Sequence, residues 1–483
     1  MVASSAARTW HATPVLLVAG ATTLVLLLTA GRHGYDGDEL YFIWAGQHPA
    51  LSYFDQPALV PVLAAALDRL APGSLFVLRL PSALAVGGAI VVTALIAREL
   101  GGGRRAQVLA ASAVAVSNGF LVAGHLFHTA ALDPVLWTVT TWLVVRSLRT
   151  RSQGDLLALG LVTAVAVNVK LLVCAFWAVA LVCLVLSRQR PALPPPRAVL
   201  PGALIAIAGL APVLYWQIAN EWPQADFTSA VAAETSSSAG RFTQPVGYLV
   251  GAGLVVGAVM LCHGLTRLYR DEQLRPYRFL GHTTVVLAVA VAVAGGRAYY
   301  LLGMFPLCWA ASAVCVERAA RRWHLLLSPP VRLASGVLAV AMVLPVWPLD
   351  QVRANPWLPV PEGELGWPET TRAVAAVADT HPGAVVVAQS CWVASALRHG
   401  GIEAHSPNWG CWSLSRPPRE TDSLLYLGTV PESMRGAAER VVQVGVVRTG
   451  LPGTVHAEGT PIWLLTGATE DWDRLWPALR DLS

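Results

Sequence analysis

The sequence predicts a polytopic α-helical membrane protein of about 11 transmembrane helices, followed by a C-terminal α/β domain. Of the 483 residues, 55% are hydrophobic and 13% are charged, whereas soluble domains average about 25% charged residues. Long apolar segments alternate with short arginine clusters, and the last apolar segment ends near residue 348. The net charge of +5 does not indicate nucleic-acid binding, because the basic residues form separate clusters rather than one continuous face.

The apolar segments are each near the length that crosses a bilayer. They lie at residues 13–30, 76–97, 106–124, 127–145, 155–169, 171–187, 198–217, 246–266, 279–295, 299–316 and 330–348. Arginine clusters at residues 98–105, 146–151, 188–197, 267–278 and 318–332 separate them, with two crossings between successive clusters, and Arg8 precedes the first segment. The positive-inside rule therefore predicts a multi-pass protein of the cytoplasmic membrane, with its N-terminus in the cytoplasm and its C-terminal domain outside.

Three carboxylates, Asp36, Asp38 and Glu39, follow the first apolar segment. A charge beside hydrocarbon costs several kcal/mol unless it is paired or hydrated, so such charges are usually retained for a function. These acids are therefore candidates for a functional site. The alternative is a solvated cap on a helix end. Most other polar residues also fall in the predicted outer loops, whereas a transporter needs polar residues along both halves of its path and often has inverted repeats. This distribution favours an enzyme that meets its substrate in the outer leaflet, with a lipid-linked glycan flippase as the alternative.

Lys170 is the single lysine among 34 basic residues, and it lies in an apolar hairpin beside Asn168. A compact, flexible ammonium suits contact with a phosphate as a point charge. The alternative is a lysine that snorkels from a helix end. Arg297 is the expected second cation, since it precedes Tyr299 and Tyr300 in another outer turn, although tyrosines at this depth are also typical of the interfacial belt.

Several motifs resemble those of family 39 glycosyltransferases, in the same order along the chain. They are Asp38-Glu39-Leu-Tyr41, Tyr53-Phe-Asp55-Gln56-Pro57, Asp133 at the head of the fourth segment, Asn168-Val-Lys170, Arg297-Ala-Tyr299-Tyr300 with Pro306, and Ser406-Pro-Asn-Trp-Gly-Cys-Trp412. The family has His-Pro-Pro where this chain has Gln56-Pro57-Ala58, so the resemblance assigns no role to Gln56.

This resemblance implies the membrane-embedded C-type glycosyltransferase fold (GT-C), similar to protein O-mannosyltransferases and lipid A aminoarabinose transferases. It implies an inverting transfer of a sugar from a polyprenyl-phosphate donor to a cell-wall glycan, lipid or protein. Asp38 is the expected base, with Glu39 and Asp133 as the other catalytic carboxylates. Lys170 and Arg297 are expected to bind the donor phosphate. The residues expected to contact substrate are Tyr41, Asp55, His128, Tyr299 and Tyr300.

Histidine and cysteine leave two questions open. His125 and His128 are spaced to lie on one helical face, where they could bind a divalent metal with Asp38 or Asp133, but two histidines without a clear third ligand more often form hydrogen bonds. No cofactor is required by the motifs. Cys391 and Cys411 both lie in the predicted outer tail, where a disulfide is permitted but not demanded.

Two domains are expected. Residues 1–348 form the membrane domain, whose outer loop at residues 31–75 carries the acidic motif, and residues 349–483 form a soluble extracytoplasmic domain. In the latter, helix-like stretches at residues 369–379 and 393–399 alternate with apolar stretches at residues 384–388, 423–427, 440–447 and 461–465, which predicts a mainly parallel sheet. Its expected role is a structural lid or acceptor recognition, with Trp392, Trp409 and Trp412 offering stacking surface for sugars.

Overall fold

The computed structural model describes residues 9–187, 193–235, 238–319, 327–355, 358, 362–451 and 456–482. The predicted cytoplasmic residues Arg8, Arg188, Arg190, Arg321 and Arg322 lie outside these ranges. The chain divides into two compact units. We call Met1–Ala30, Arg79–Ile218 and Val231–Trp347 the helical unit, and Gly31–Leu78, Ala219–Ala230 and Pro348–Ser483 the mixed unit.

Helices dominate the first 350 residues. In chain order the α-helices are α1 (Ala12–Thr29), α2 (Gly37–Gly46), α3 (Leu59–Leu70), α4 (Leu75–Glu99), α5 (Arg104–Ala115), α6 (Asn118–His125), α7 (Thr129–Thr150), α8 (Gln153–Val169), α9 (Leu172–Leu186), α10 (Pro196–Ala219), α11 (Pro223–Thr235), α12 (Ser238–Ala252), α13 (Val256–Arg270), α14 (Arg278–Val293), α15 (Phe305–Arg318), α16 (Pro329–Val343), α17 (Leu349–Ala354), α18 (Trp367–Ala378), α19 (Cys391–His399), α20 (Cys411–Leu414), α21 (Glu432–Gly436) and α22 (Trp472–Ala478). Short 3-10 helices span Glu272–Tyr277, Ala298–Met304 and Glu362–Glu364.

The chain is a multi-pass membrane protein. Within the described ranges, five helices are long and apolar enough to cross a bilayer, or seven when two bent pairs each count as one span. Each predicted crossing segment contains helix, and three of these are shorter apolar helices. The full count of eleven crossings therefore stays a prediction.

The two bent pairs have local causes. α5 and α6 meet at 61°, where the Ser117 hydroxyl accepts from the backbone N–H of Phe120 and donates to the carbonyl of Gly251 at 2.7 Å. α12 and α13 meet at 110° because Gly253 has φ +103° and a Cβ there would lie 2.5 Å from the carbonyl oxygen of Val116. Glycine tolerates this backbone conformation and this close approach.

Helices α8 and α10 pack backbone against backbone. A Cβ on Gly160 would overlap the carbonyl oxygen of Gly202, and one on Gly209 would lie 2.5 Å from the Cβ of Ala164. The amide of Asn168 donates to the carbonyls of Ala164 at 2.8 Å and Gly209 at 2.9 Å. Small residues of this kind let helices approach closely in lipid, so α10 fixes the end of α8 and the turn that follows it.

The mixed unit contains a five-stranded sheet in the order β2-β1-β3-β5-β4. Its strands are β1 (Val385–Ala388), β2 (Ala404–His405), β3 (Ser423–Leu427), β4 (Ala438–Val446) and β5 (Pro461–Ala468). β1 is parallel to β2 and β3, but β5 is antiparallel to both β3 and β4. The predicted mainly parallel sheet is therefore wrong. β4 and β5 form a hairpin, whose base is closed where the backbone of Val447 bonds Gly459 and Thr460, and a hairpin makes its strands antiparallel.

A disulfide joins Cys391 to Cys411, with 5.6 Å between their Cα atoms. It ties the first residue of α19 to the first residue of α20. The question that the sequence left open is thus answered in favour of the bond, and the start of α19 is covalently fixed within the mixed unit.

Candidate functional site

The acidic motif begins helix α2 in the mixed unit, and two of its three acids form a capping box. The Asp36 carboxylate accepts from the backbone N–H of Asp38 at 2.9 Å. The Glu39 carboxylate reaches back to the N–H of Asp36, also at 2.9 Å. This reciprocal arrangement satisfies the first amides of the helix and places negative charge at its positive end. Asp36 and Glu39 therefore build the helix start.

Asp38 is the acid of this motif that the capping box leaves to other contacts. Its side chain is half-buried, whereas Glu39 is 0% exposed. The indole Nε1–H of Trp392 donates to Asp38 Oδ1 at 2.8 Å, and the ring packs so closely on Gly37 that a Cβ there would overlap it. The Trp392 indole therefore packs on the start of α2 and holds the Asp38 carboxylate. Its predicted stacking against sugars stays a prediction.

Tyr41 and Asp55 form the second half of this acidic cluster. The Tyr41 hydroxyl donates to Asp55 Oδ1 at 2.7 Å, and Tyr41 is 2% exposed. Burial raises the pKa of Asp55 from 3.8 to about 7; the hydrogen bond from Tyr41 opposes this rise, and the negative charge of Asp38 adds to it. Burial and then the charge of Asp55 raise the pKa of Tyr41 as well. Tyr41 and Asp55 therefore titrate as interacting groups, and the charge of Asp38 acts on both.

In the helical unit, Lys170 lies in the turn between α8 and α9. It is the C-cap of α8, and its extended backbone donates an N–H to the carbonyl of Ala166 at 2.9 Å. The ammonium Nζ lies 4.0 Å from the ring centroid of Tyr300 and 5.2 Å from that of Tyr299. The two rings are perpendicular, with centroids 4.9 Å apart. Such cation–π contacts hold a lysine while leaving its N–H groups available to an acceptor.

Asp133 and Arg297 complete what we call the lysine cluster: Asp133, Lys170, Arg297, Tyr299 and Tyr300. Asp133 lies in the first turns of α7, is 4% exposed and interacts electrostatically with Lys170. Its Oδ1 is buried and has no hydrogen-bond partner among the described residues. Arg297 caps the 3-10 helix Ala298–Met304 and acts electrostatically on Tyr300. The structure thus brings together five residues that the sequence selected from three separate turns.

The sequence reasoning missed Arg79, which is 0% exposed near the start of α4. Its Nη1 donates to the carbonyl of Ala30 at 2.7 Å and lies 3.4 Å from Nε2 of His125. A signal was present, because Arg79 is an arginine inside an apolar segment at the end predicted to lie outside. An intramembrane cation is a candidate for function by default.

The predicted pairing of His125 and His128 on one helical face is wrong. His125 ends α6, Leu126 is extended at φ −105° and ψ 150°, and His128 is the N-cap of α7 at φ −130° and ψ 164°. The helix is broken between them, so the i, i+3 relation does not hold. The Arg79 guanidinium beside Nε2 of His125 also disfavours a divalent cation at that nitrogen, because like charges repel strongly at short range.

Comparisons with known proteins agree with the resemblance seen in the sequence. Residues 55–216 match the family model described as dolichyl-phosphate-mannose-protein mannosyltransferase; the match includes Asp133 and Lys170 and ends before Arg297. No curated protein sequence matches the chain.

Solved structures extend the similarity to nearly the whole chain. The crystal structure of ArnT from Cupriavidus metallidurans bound to undecaprenyl phosphate has a TM-score of 0.62 and 14% identity, and the match covers 93% of this chain and 97% of that one. Its apo state gives 0.64 and 13%, over 94% and 98%. The arabinofuranosyltransferase AftD from Mycobacteria gives 0.51 and 15%, over 97% of this chain and 42% of that one. At these identities the matches confirm the predicted resemblance at the level of the fold.

The raised pKa of Asp55 predicts a pH-dependent stability. Because the folded-state pKa of about 7 exceeds the ordinary 3.8, the folded protein binds more protons than the unfolded chain between these values, and stability falls as pH rises through that window. We expect the thermal unfolding midpoint of purified protein to drop between pH 4 and pH 7, and Asp55→Asn to remove most of the drop. Asp379→Asn, at an exposed carboxylate of the mixed unit, is the control. An unchanged profile in Asp55→Asn would contradict the assignment.

Proposed function

We propose that the protein is an integral-membrane, inverting glycosyltransferase of the outer face of the cytoplasmic membrane. It moves a hexose or a pentose from a polyprenyl phosphate to a cell-wall glycan, lipid or protein. The observation that carries this proposal is the lysine cluster, in which the only lysine of the chain lies over Tyr300 among apolar helices. The match to a mannosyltransferase family and the GT-C-like fold support the same class.

The lysine cluster has the chemistry of a lipid-phosphate site. Lys170 is compact enough to approach a phosphate oxygen from a narrow turn, and Arg297 supplies a second cation nearby. Asp133 balances the ammonium before the donor arrives, so the lysine need not stand uncompensated among apolar helices. The Tyr299 and Tyr300 rings hold the ammonium by cation–π attraction, and in this proposal the ammonium donates an N–H to the leaving phosphate.

Asp38 is the base in this proposal. The acceptor hydroxyl oxygen attacks the anomeric carbon of the sugar, the carbon–oxygen bond to the phosphate breaks, and the phosphate departs with the electron pair, stabilised by Lys170 and Arg297. Asp38 takes the acceptor proton, as a positioned carboxylate can. The Trp392 indole holds one oxygen of this carboxylate in place through a hydrogen bond.

The other predicted residues take supporting roles. Glu39 orients α2 through the capping box, and Tyr41 holds Asp55, which lies close enough to Asp38 to feel its charge. We assign Asp55, with His128, to acceptor contacts. Asp133 supports the donor site rather than the base.

The enzyme hypothesis and the flippase hypothesis predict different products, because only the enzyme releases free polyprenyl phosphate. Purified protein in detergent, supplied with polyprenyl-phosphate mannose or polyprenyl-phosphate arabinose and cell-wall glycan fragments, should release free polyprenyl phosphate and extend the glycan. Movement of intact donor across liposomes without release would establish the flippase. A preference for diphosphate-linked oligosaccharides would instead identify an oligosaccharide ligase.

The assignment of the base predicts that Asp38→Asn folds, inserts and binds donor but transfers sugar roughly a hundredfold more slowly, because the substitution keeps size and removes basicity. Turnover with a saturating donor and the melting temperature are the measurements. Asp379→Asn should match wild type in both. Near-normal turnover in Asp38→Asn together with an inactive Asp133→Asn would show that the two roles are reversed.

The assignment of Lys170 predicts weaker donor binding in Lys170→Ala, by about 10- to 100-fold, since a hydrogen bond to a charged group contributes about 1.5–3 kcal/mol. Lys170→Arg should recover part of this affinity, because it restores the charge with a bulkier, planar head. Binding is measured by titration of polyprenyl phosphate into purified protein. Affinity unchanged in Lys170→Ala removes the residue from the donor site.

A further inference from the structure

A second polar site lies in the helical unit at the opposite end of α8 from Lys170. Here α1 and α5 begin, α15 ends and α16 begins, and these helix ends enclose a cavity of about 650 Å³. Salt bridges from Arg146 to Asp155 and from Arg149 to Glu99 tie the start of α8 to this end of the bundle. α8 has 17 residues, which corresponds to about 25 Å of helix. The cavity is therefore separate from the lysine cluster.

Three arginines line this cavity, which we call the basic cavity. Arg104 and Arg105 are the first residues of α5 and are exposed, and neither forms an ion pair within the described ranges. Arg332 is half-buried and donates from Nη1 to Ser112 Oγ at 2.7 Å. Its Nε is buried and has no hydrogen-bond partner in the part of the chain that the structure describes. Leaving a buried N–H group without an acceptor costs free energy. A ligand that places an oxygen beside Arg332 Nε would remove that cost.

The one carboxylate that lines the cavity, among the described residues, does not neutralise these arginines. The Glu317 oxygens accept from the backbone N–H groups of Gly103 at 2.6 Å and Ala106 at 3.1 Å, so the carboxylate caps α5. Because Glu317 already occupies these N–H groups at the start of α5, an anion in the cavity would have to be bound by side chains. Three arginines against one capping carboxylate leave the lining positive.

The remaining walls decide between a free anion and a lipid. Val108, Leu109 and Leu327 line the same cavity as the arginines. A free phosphate gains nothing from apolar walls, whereas a phospholipid sets its phosphate on the arginines and its acyl chains along these side chains. Basic pockets between transmembrane helices on the cytoplasmic side suit anionic headgroups. We propose that the basic cavity binds an anionic phospholipid of the leaflet at this end of the bundle.

The test uses the full-length protein in detergent, with cardiolipin as the probe and phosphatidylcholine and inorganic phosphate as comparisons. Cardiolipin should remain bound in native mass spectrometry and raise the melting temperature, while the other two should not. Arg104→Gln/Arg105→Gln, at two exposed positions, should weaken cardiolipin binding about tenfold or more, since each arginine near the headgroup contributes substantially. Arg332→Gln should weaken it as well.

Arg270→Gln/Arg275→Gln is the matched control, because it removes two basic residues of the same predicted membrane face that do not line the cavity. It should leave cardiolipin binding within about twofold of wild type. If both double variants lost cardiolipin binding equally, the proposal would be overturned, because the lipid would then be attracted by diffuse surface charge rather than by the cavity. Equal stabilisation by inorganic phosphate would reassign the cavity to a free anion, and equal retention of phosphatidylcholine would show that the headgroup is not recognised. Should Arg332→Gln fail to fold, the Arg104/Arg105 pair alone decides.

Discussion

The cost of burying charge among apolar helices explains the surroundings of the buried ionisable residues that the structure describes in the helical unit. Glu99 is 2% exposed and is met by Arg98 at 3.2 Å and by Arg149 at 2.5 Å, so its buried charge is paired. Asp133 and Lys170 face the same cost, but the Asp133 Oδ1 has no hydrogen-bond partner among the described residues. The single carboxylate of the lysine cluster thus faces two cations, Lys170 and Arg297, and the cluster keeps an excess of positive charge.

A second constraint divides the acids of the mixed unit by their hydrogen bonds. Asp36, Asp38 and Glu39 look equivalent in the sequence, and only the geometry shows that the first and third satisfy one another's backbone amides. The two side chains of a capping box stand three residues apart, so Gly37 and Asp38 lie between Asp36 and Glu39 and are not needed for the cap. The sequence of this motif therefore fixes the start of α2 and places Asp38 in its first turn.

Much of the helical unit was predictable, because apolar length and arginine clusters report directly on burial in lipid. The grouping of Lys170 with Tyr299 and Tyr300 also followed, since turns at one membrane face are forced to the same depth. What failed depended on contacts that no local pattern encodes. The antiparallel direction of β5 depends on a hairpin, and the separation of His125 from His128 depends on a helix break. The Trp392 contact joins residues 354 positions apart.

The disulfide joins two segments that contact the acidic motif, and its presence bears on the side of the membrane on which the mixed unit lies. Cys391 is bonded to Cys411 and directly precedes Trp392, whose indole holds Asp38. Cys411 follows Gly410, where a Cβ would overlap the Tyr41 hydroxyl that binds Asp55. Both ends of the bond thus adjoin residues that position the acidic cluster. Since disulfides persist in oxidising compartments and are rare in the cytoplasm, the bond favours the topology in which the mixed unit is extracytoplasmic.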